Sequence, residues 1–363
     1  MKRIAIILTA LAFLSSSVLM AQMKNVTNLL SGVKQDKAAV ENMFEAYLSP
    51  YVNALGANLN GGWYNTAKTH KLGGFDLTLS VSSSFIPSGD KTFIPSQYLN
   101  NSNYISAPAG LSAPTIAGDS KSGPKMTVKD GTGANANVIA EFSTPKGTGM
   151  GFIPSPMLQL GIGLIKQTDV TVRYLPSFNV GDYGSVNLWG VGVKHSLKQW
   201  IPGIKMAPFF HLSVFGGYTQ LKMKSDLDFP PAKYEGATIE TTLPYDNQKM
   251  ELKANNFTGN VIASFDFPVI ALYAGVGFSS TKANLKLTGD YPLPAYENGE
   301  VVIKDANKIT DPIDMKFTNV DGTKTKPRFN GGVRFKFAVM TLHFDYTYAN
   351  YSAVTAGLGI SFR

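Results

Sequence analysis

At 363 residues the chain can hold one large or two ordinary domains. Its 33 Lys+Arg exceed its 25 Asp+Glu by 33 − 25 = 8, but the basic residues are scattered, which suits solvated loops and argues against a nucleic-acid-binding arm. The absence of cysteine excludes a disulfide framework and a cysteine-linked lipid, while 16% charged residues beside 11% aromatics and 35 Gly suit a β protein with tight turns.

Residues 1–21 read as a secretory signal peptide. Lys2 and Arg3 form its charged start, Ile4–Leu14 its apolar centre, and Ala21 a small residue before the cut. Beyond it no apolar run reaches the ~18 residues of a spanning helix. An exported chain of this kind is periplasmic, secreted, or a membrane barrel.

Residues 22–62 are expected to be helical. Val40, Met43, Phe44, Tyr47 and Leu48 recur at spacings of three and four, and Asp36 is placed to cap the start. Ser49-Pro50 predicts the restart of a short second helix, because Pro suits a first helical position, and Gly61-Gly62 ends it. The segment is expected to pack outside the barrel, to plug the lumen, or to cap its periplasmic mouth. Val40, Phe44, Tyr47 and Leu48 are the plug candidates.

Residues 63–363 predict an all-β fold, an antiparallel transmembrane β-barrel. Period-two alternation marks strands at Gly74–Phe85, Asn137–Ser143, Met157–Ile165, Thr168–Leu175, Ser185–Leu197, Met206–Lys224, Lys249–Asp266, Val269–Thr288 and Thr325–Ala338, with two more before Arg363. Short and long connections alternate along this series, except at the last turn, Asn350–Ser352, which is short where a long one is due; barrels place short turns in the periplasm and long loops outside. The long loops are 87–123, 225–248 and 289–324. Parity then asks for one more descending strand, for which Pro124–Asp130 with its Asp-Gly turn is the candidate. The total is about twelve strands, within a range of roughly 10–14. Several run well past the ~9–11 residues that cross a membrane, so the wall is expected to extend beyond it.

The final hairpin suggests a register. A turn at Val339-Met340 places Lys336 opposite His343 and Arg334 opposite Asp345, a cross-strand ion pair on the inner face. Arg173, Arg328, Arg334, Lys336, His343 and Asp345 are therefore the lumen-lining candidates, either as a structural ladder or as a surface favouring anionic solutes. Trp189, Tyr346, Tyr348 and Tyr351 are candidates for the aromatic girdles at the membrane edges.

No catalytic, cofactor or metal constellation emerges. His70, His195, His211 and His343 lack a second ligand at metal-site spacing, and no Ser/His pair acquires a third group. The Gly147-x-Gly149-x-Gly151 run is followed by Pro154 and Pro156, which leaves no helix N-terminus for a phosphate. No enzymatic activity and no cofactor are expected.

The runs Val172-Arg-Tyr-Leu-Pro176, Leu188-Trp-Gly-Val-Gly-Val-Lys-His195 and Lys198-Gln-Trp-Ile-Pro202 resemble the DUF6588 family, outer-membrane proteins of Bacteroidota. The helical block running into Gly61-Gly-Trp63 is similar too. The resemblance covers nearly all the mature chain and implies an outer-membrane location and a barrel. A more distant likeness, of fold only, is to hydrophobic-solute transport barrels with an N-terminal segment in the lumen.

These readings favour an outer-membrane barrel acting as a plugged channel for, or binder of, small solutes, hydrophobic or anionic. The alternative is a structural or adhesive surface barrel with a closed lumen whose loops bind partners, and a soluble β-sandwich is a third. The expected partners are outer-membrane lipid, the barrel-assembly machinery through the C-terminal strand, and a small solute, with no nucleic acid.

Overall fold

The computed structural model describes residues 27–99, 101–133, 135–179, 184–231, 236–318 and 325–362. The signal-peptide segment 1–21 lies outside the described residues. Ten strands form the wall: β1 (Phe75–Phe85), β2 (Phe152–Leu164), β3 (Thr168–Asn179), β4 (Ser185–Ser196), β5 (Phe210–Asp226), β6 (Lys249–Asp266), β7 (Ile270–Thr288), β8 (Lys326–Phe337), β9 (Met340–Tyr348) and β10 (Ala353–Phe362). Each pairs antiparallel with its neighbours in sequence, and β1 pairs with β10 from Phe75↔Phe362 to Ser84↔Ala353. The sheet is closed, which removes its edges.

Ten strands lie at the low end of the expected range. Lys125–Asp130 and Asn137–Ser143 are strands joined as a hairpin, but they pair with each other and with Ile105–Ser106, outside the wall. Parity counted them in because connection lengths carry no information about pairing partners. The excursion from 86 to 151 is thus one connection between β1 and β2. The strand Ile313–Thr318 pairs with the C-terminal end of β7, beyond the point where β8 pairs with it, so that β7 is covered along most of its length.

The connections define two ends. Turns at 165–167, 267–269 and 338–339, and the start of β1, share one end, together with the longer link 197–209. The excursions 86–151, 227–248 and 289–325 share the other. On the short-connection side the alternation is apolar out and polar in. Along β10, Val354, Ala356, Leu358, Ile360 and Phe362 face outward, while Thr355, Gly357, Gly359 and Ser361 face inward. On β6, Phe257, Val261, Ala263 and Phe265 continue the outward apolar belt, about 26 Å of strand at ~3.3 Å per residue. Aromatic pairs bound it: Phe75–Phe362, Phe210–Phe265 and Phe209–Phe267 at one edge, Trp189–Tyr218 and Phe257–Phe278 at the other.

Beyond that second edge the polarity inverts. Leu221, Met223, Met250, Leu252, Leu285 and Leu287 point inward and are buried, whereas Lys222, Lys224, Lys253 and Lys286 point outward on the same strands. A wall that is polar outside and apolar inside is that of a water-exposed domain.

Helix α1 (Lys37–Asn60) supplies the centre of this apolar core. Asp36 caps it by accepting the Ala39 N–H at 3.0 Å. α1 is one continuous helix, not the two expected: Pro50 sits inside it and is buried. Proline costs the bond to the Ala46 carbonyl, and burial on all sides of α1, including Ser49, Asn58 and Asn60, holds the helix through it. No helix among the described residues is long and apolar enough to cross a membrane.

Candidate functional site

The lumen is where the chain brings its charged residues together. The C-terminal end of α1 reaches into it: Asn58 Nδ2 donates to the Ile153 carbonyl at 2.7 Å and to Ser155 Oγ at 3.0 Å, and Ser84 Oγ donates to the Ala54 carbonyl at 2.7 Å. Gly56 makes this approach possible, because a Cβ there would lie 2.3 Å from Thr281 Oγ1. The last carbonyls of a helix lack intrahelical donors, and the wall supplies them. Arg173 donates to the Leu59 carbonyl at 3.0 Å and to that of Gly61 at 2.6 Å, and Arg328 donates to that of Asn60. Gln159 Oε1 accepts from Arg173 Nε at 3.2 Å.

Past Gly61 the chain continues down the lumen to the short-connection end. Trp63 and Tyr64 join Ala67, Phe215, Ile262 and Tyr273 in a second, smaller apolar cluster. Gly192 and Gly217 leave the space it fills: a Cβ at Gly192 would lie 2.7 Å from the Phe215 ring and one at Gly217 2.9 Å from the Trp63 ring. Tyr64 Oη donates to Asn330 Oδ1 at 2.7 Å. Lower down, Asp169 gathers three groups: the His70 backbone N–H at 2.9 Å, His70 Nδ1 at 3.0 Å and Lys194 Nζ at 3.1 Å. Lys194 also donates to the carbonyl of Lys68 at 3.0 Å. Leu59, Asn60, Trp63, Tyr64, Thr66, Ala67 and His70 are all buried, so the chain's own segment occupies the lumen along its axis.

The lumen candidates all face inward, and Arg173, Arg328, Arg334, His343 and Asp345 are buried. Lys336 is half-buried and lines a cavity of ≈ 280 Å³ at the short-connection mouth, with Lys68, Asp266 and Arg334. The expected register is corrected by two residues. Phe337 pairs with Met340 across an Ala338-Val339 turn, with Ala338 at φ +54°, so Arg334 lies opposite His343, Lys336 opposite Thr341 and Asp345 opposite Gly332. A shift of two preserves the faces, which is why the residues stay inside although the partners change. Tyr273 Oη donates to Asp345 at 3.1 Å. The four plug candidates, Val40, Phe44, Tyr47 and Leu48, are buried on α1 in the apolar core.

Trp189, Tyr346 and Tyr348 point outward and are exposed. Tyr351 does not belong with them. It is 2% exposed in the long-connection half, and its hydroxyl donates to Asp90 at 2.5 Å. The turn after β9 places it under the excursion 86–151, and alternation stops at the end of a strand. Tyr351 helps to line a cavity of ≈ 650 Å³ between α1 and that excursion, with Glu45, Asp90, Phe93, Gln97 and Tyr98. Phe93 and Tyr98 meet edge to face at 5.8 Å, and no cationic side chain lines the cleft among the described residues. Burial without a counter-charge raises the Glu45 carboxyl above its ordinary value. The cleft joins segments far apart in the sequence, which left no local signal for it.

A model of the family described as "Family of unknown function (DUF6588)" matches residues 1–362. The chain belongs to the DUF6588 family. No curated protein matches it. Among solved structures, this DUF6588 chain is similar to the attachment invasion locus protein Ail of Yersinia pestis at 9% identity, covering 80% of this chain and 99% of that one, with a TM-score of 0.26. It is also similar to the toluene transporter TodX of Pseudomonas putida at 10% identity, covering 87% and 97%, with a TM-score of 0.27. The transport unit of the autotransporter AIDA-I from Escherichia coli shares 9% identity over 88% and 98%, with a TM-score of 0.28. Likeness at this level carries nothing about function, and the closed pairing of ten strands stands on its own.

Proposed function

We propose that this DUF6588 chain is an outer-membrane barrel with a closed lumen, which holds a folded binding module at the cell surface. The reading of a membrane span rests on the outward apolar belt with aromatics at both edges. The long-connection half, with its polar outer wall and apolar interior, would then stand outside the membrane, and its cleft beside Glu45 and Asp90 would take a small ligand or a partner's side chain.

The observation that carries closure is the burial of Leu59, Asn60, Trp63, Tyr64, Thr66, Ala67 and His70 within the lumen, clamped by Arg173, Arg328 and Asp169. Planar-bilayer recording of the intact protein tests it. Silence is expected, and a steady unit conductance overturns it.

A second reading, a plugged channel for small solutes, draws on one feature. At Thr66 and Ala67 the segment is held by hydrogen bonds to Ser213, Ser264 and Lys194 of the wall, which water can replace. Discrete openings in Asp169→Asn, absent from the wild type, would favour the channel, and silence in both favours the closed barrel.

A further inference from the structure

The outward-facing lysines of the described wall all fall on one side of the barrel, on β5, β6, β7 and the Ile313–Thr318 strand. Cross-strand pairing sets them in rows. Lys222, Lys253, Asn284 and Lys316 are successive partners across four strands. One step toward the apolar belt, Gln220, Asn255 and Lys282 form the next row, level with Trp189. One step the other way lie Lys224, Glu251, Lys286 and Asp314. In these three rows six lysines meet two carboxylates, a local excess of 6 − 2 = 4, and the row beyond them pairs Lys249 with Asp226.

The two carboxylates are already engaged. Glu251 lies 2.9 Å from Lys222, and Asp314 lies 2.8 Å from Lys286. Lys253, Lys282 and Lys316 have no carboxylate within ion-pair distance among the described residues. Lys253 moreover stands directly opposite Lys222, whose ammonium Glu251 already holds, so Lys253 adds a like charge there with no carboxylate of its own. Asn255 connects this patch to the belt: its Oδ1 accepts from Tyr218 Oη at 2.8 Å and from Gln220 Nε2 at 2.9 Å.

The height of the patch selects the anion. Successive same-face residues are about 6.6 Å apart along a strand. Lys282 therefore lies one step, and Lys222 and Lys253 two steps, beyond the Tyr218–Phe257 aromatic row. With strands tilted about 35–45°, these steps stand roughly 5–10 Å above aromatics that themselves sit at headgroup level, within reach of headgroup phosphates for a lysine side chain. We propose that the Lys222–Lys253–Lys282 face binds the phosphate groups of an anionic lipid in the outer leaflet, whose acyl chains lie along Phe257, Val261 and Val276 below. This rests on the membrane reading above. Charge complementarity favours the lipid over a protein partner, because the cations continue directly into an exposed apolar belt.

Native mass spectrometry of the full-length protein in neutral detergent tests it, with diphosphorylated lipid A and its dephosphorylated form as probes. The wild type is expected to retain the phosphorylated lipid at least about tenfold better. The triple variant K222Q/K253Q/K282Q is expected to retain it on the order of a hundredfold less, at roughly a fivefold loss per lysine. K166Q/K198Q/K205Q, at the other end of the barrel, is expected to match the wild type. Equal retention of both lipids, a triple variant that matches the wild type, or displacement of the lipid by millimolar inorganic phosphate overturns the proposal. If the triple variant does not fold, K253Q alone is expected to show the fivefold loss, and unchanged retention overturns the proposal. Heat-modifiable migration and membrane fractionation of the wild type report separately on the barrel reading.

Discussion

The guanidinium of Arg173 lies against the indole of Trp63, 3.7 Å from carbon to ring centre, while its two Nη atoms hold the carbonyls of Leu59 and Gly61. One fully buried wall residue thereby ends α1 and positions the first lumen residue after it. Removing it leaves the Gly61 carbonyl without its side-chain donor, the Leu59 carbonyl with only the longer bond from Thr219 Oγ1 at 3.4 Å, and Trp63 without its cation. Arg173→Met is expected to destabilise the barrel by about 2–4 kcal/mol, measured as the loss of heat-modifiable migration with urea. Arg173→Lys is expected to recover less than half of that, since an ammonium cannot reach both carbonyls from one fork.

Asp169 is the second fastening. It accepts the backbone and ring N–H groups of His70 and balances Lys194, all buried. Asp169→Asn removes the carboxylate that lies 3.1 Å from the buried Lys194 ammonium, and breaking such a buried pair costs about 3–5 kcal/mol. The local consequence is release of 66–73. Trypsin is expected to cut after Lys68 and Lys71 in the detergent-solubilised variant much faster than in the wild type. Equal cutting rates would show that Lys194's bonds to the Lys68 carbonyl suffice.

The wall was legible because a half-buried strand writes its two faces in alternate residues, as Val354 to Phe362 do. What alternation does not record is which face is inner. On β5 the period runs unbroken from Val214 to Lys224, yet the inward face changes from Thr219 to Leu221 and Met223 as the strand leaves the apolar belt. The inversion depends on what lies outside, and no residue on the strand encodes it by itself. The lumen candidates were reached through their shared polar face, so a register error of two left them in place. The clamp between Arg173 and Trp63 and the bond between Tyr351 and Asp90 join residues far apart in the chain, where neither periodicity nor spacing reports contact.

Glu45 predicts a dependence on pH. Burial raises its carboxyl in the folded state, so the folded protein holds this proton more tightly than the unfolded chain. The contribution of Glu45 is therefore most favourable below the ordinary Glu value and is lost as pH rises through the raised one. Glu45→Gln is expected to raise the unfolding midpoint at pH 7 and to change it little at pH 4. A variant less stable than wild type at pH 7 would show that the carboxylate has a compensating partner in the cleft.

The path of α1 can be read directly, because the chain has no cysteine and any single cysteine reports alone. α1 begins among the long connections: the Tyr47 carbonyl accepts the Ile116 N–H at 3.0 Å and Tyr47 Oη donates to the Lys146 carbonyl at 2.6 Å. The chain then runs through the lumen to the opposite end before β1 starts. In an outer membrane this places the exposed Lys37 on the same side as Gly89 in the excursion, and away from Lys166 and Met206. Lys37→Cys and Gly89→Cys are expected to react with a membrane-impermeant maleimide on intact cells. Lys166→Cys and Met206→Cys are expected to react only after the outer membrane is permeabilised. Labelling of Lys37→Cys with the second pair would mean that the N-terminal segment enters from the periplasmic mouth. The buried contacts of α1 with Ser84, Ser155 and Ile116 exclude that route in the folded barrel.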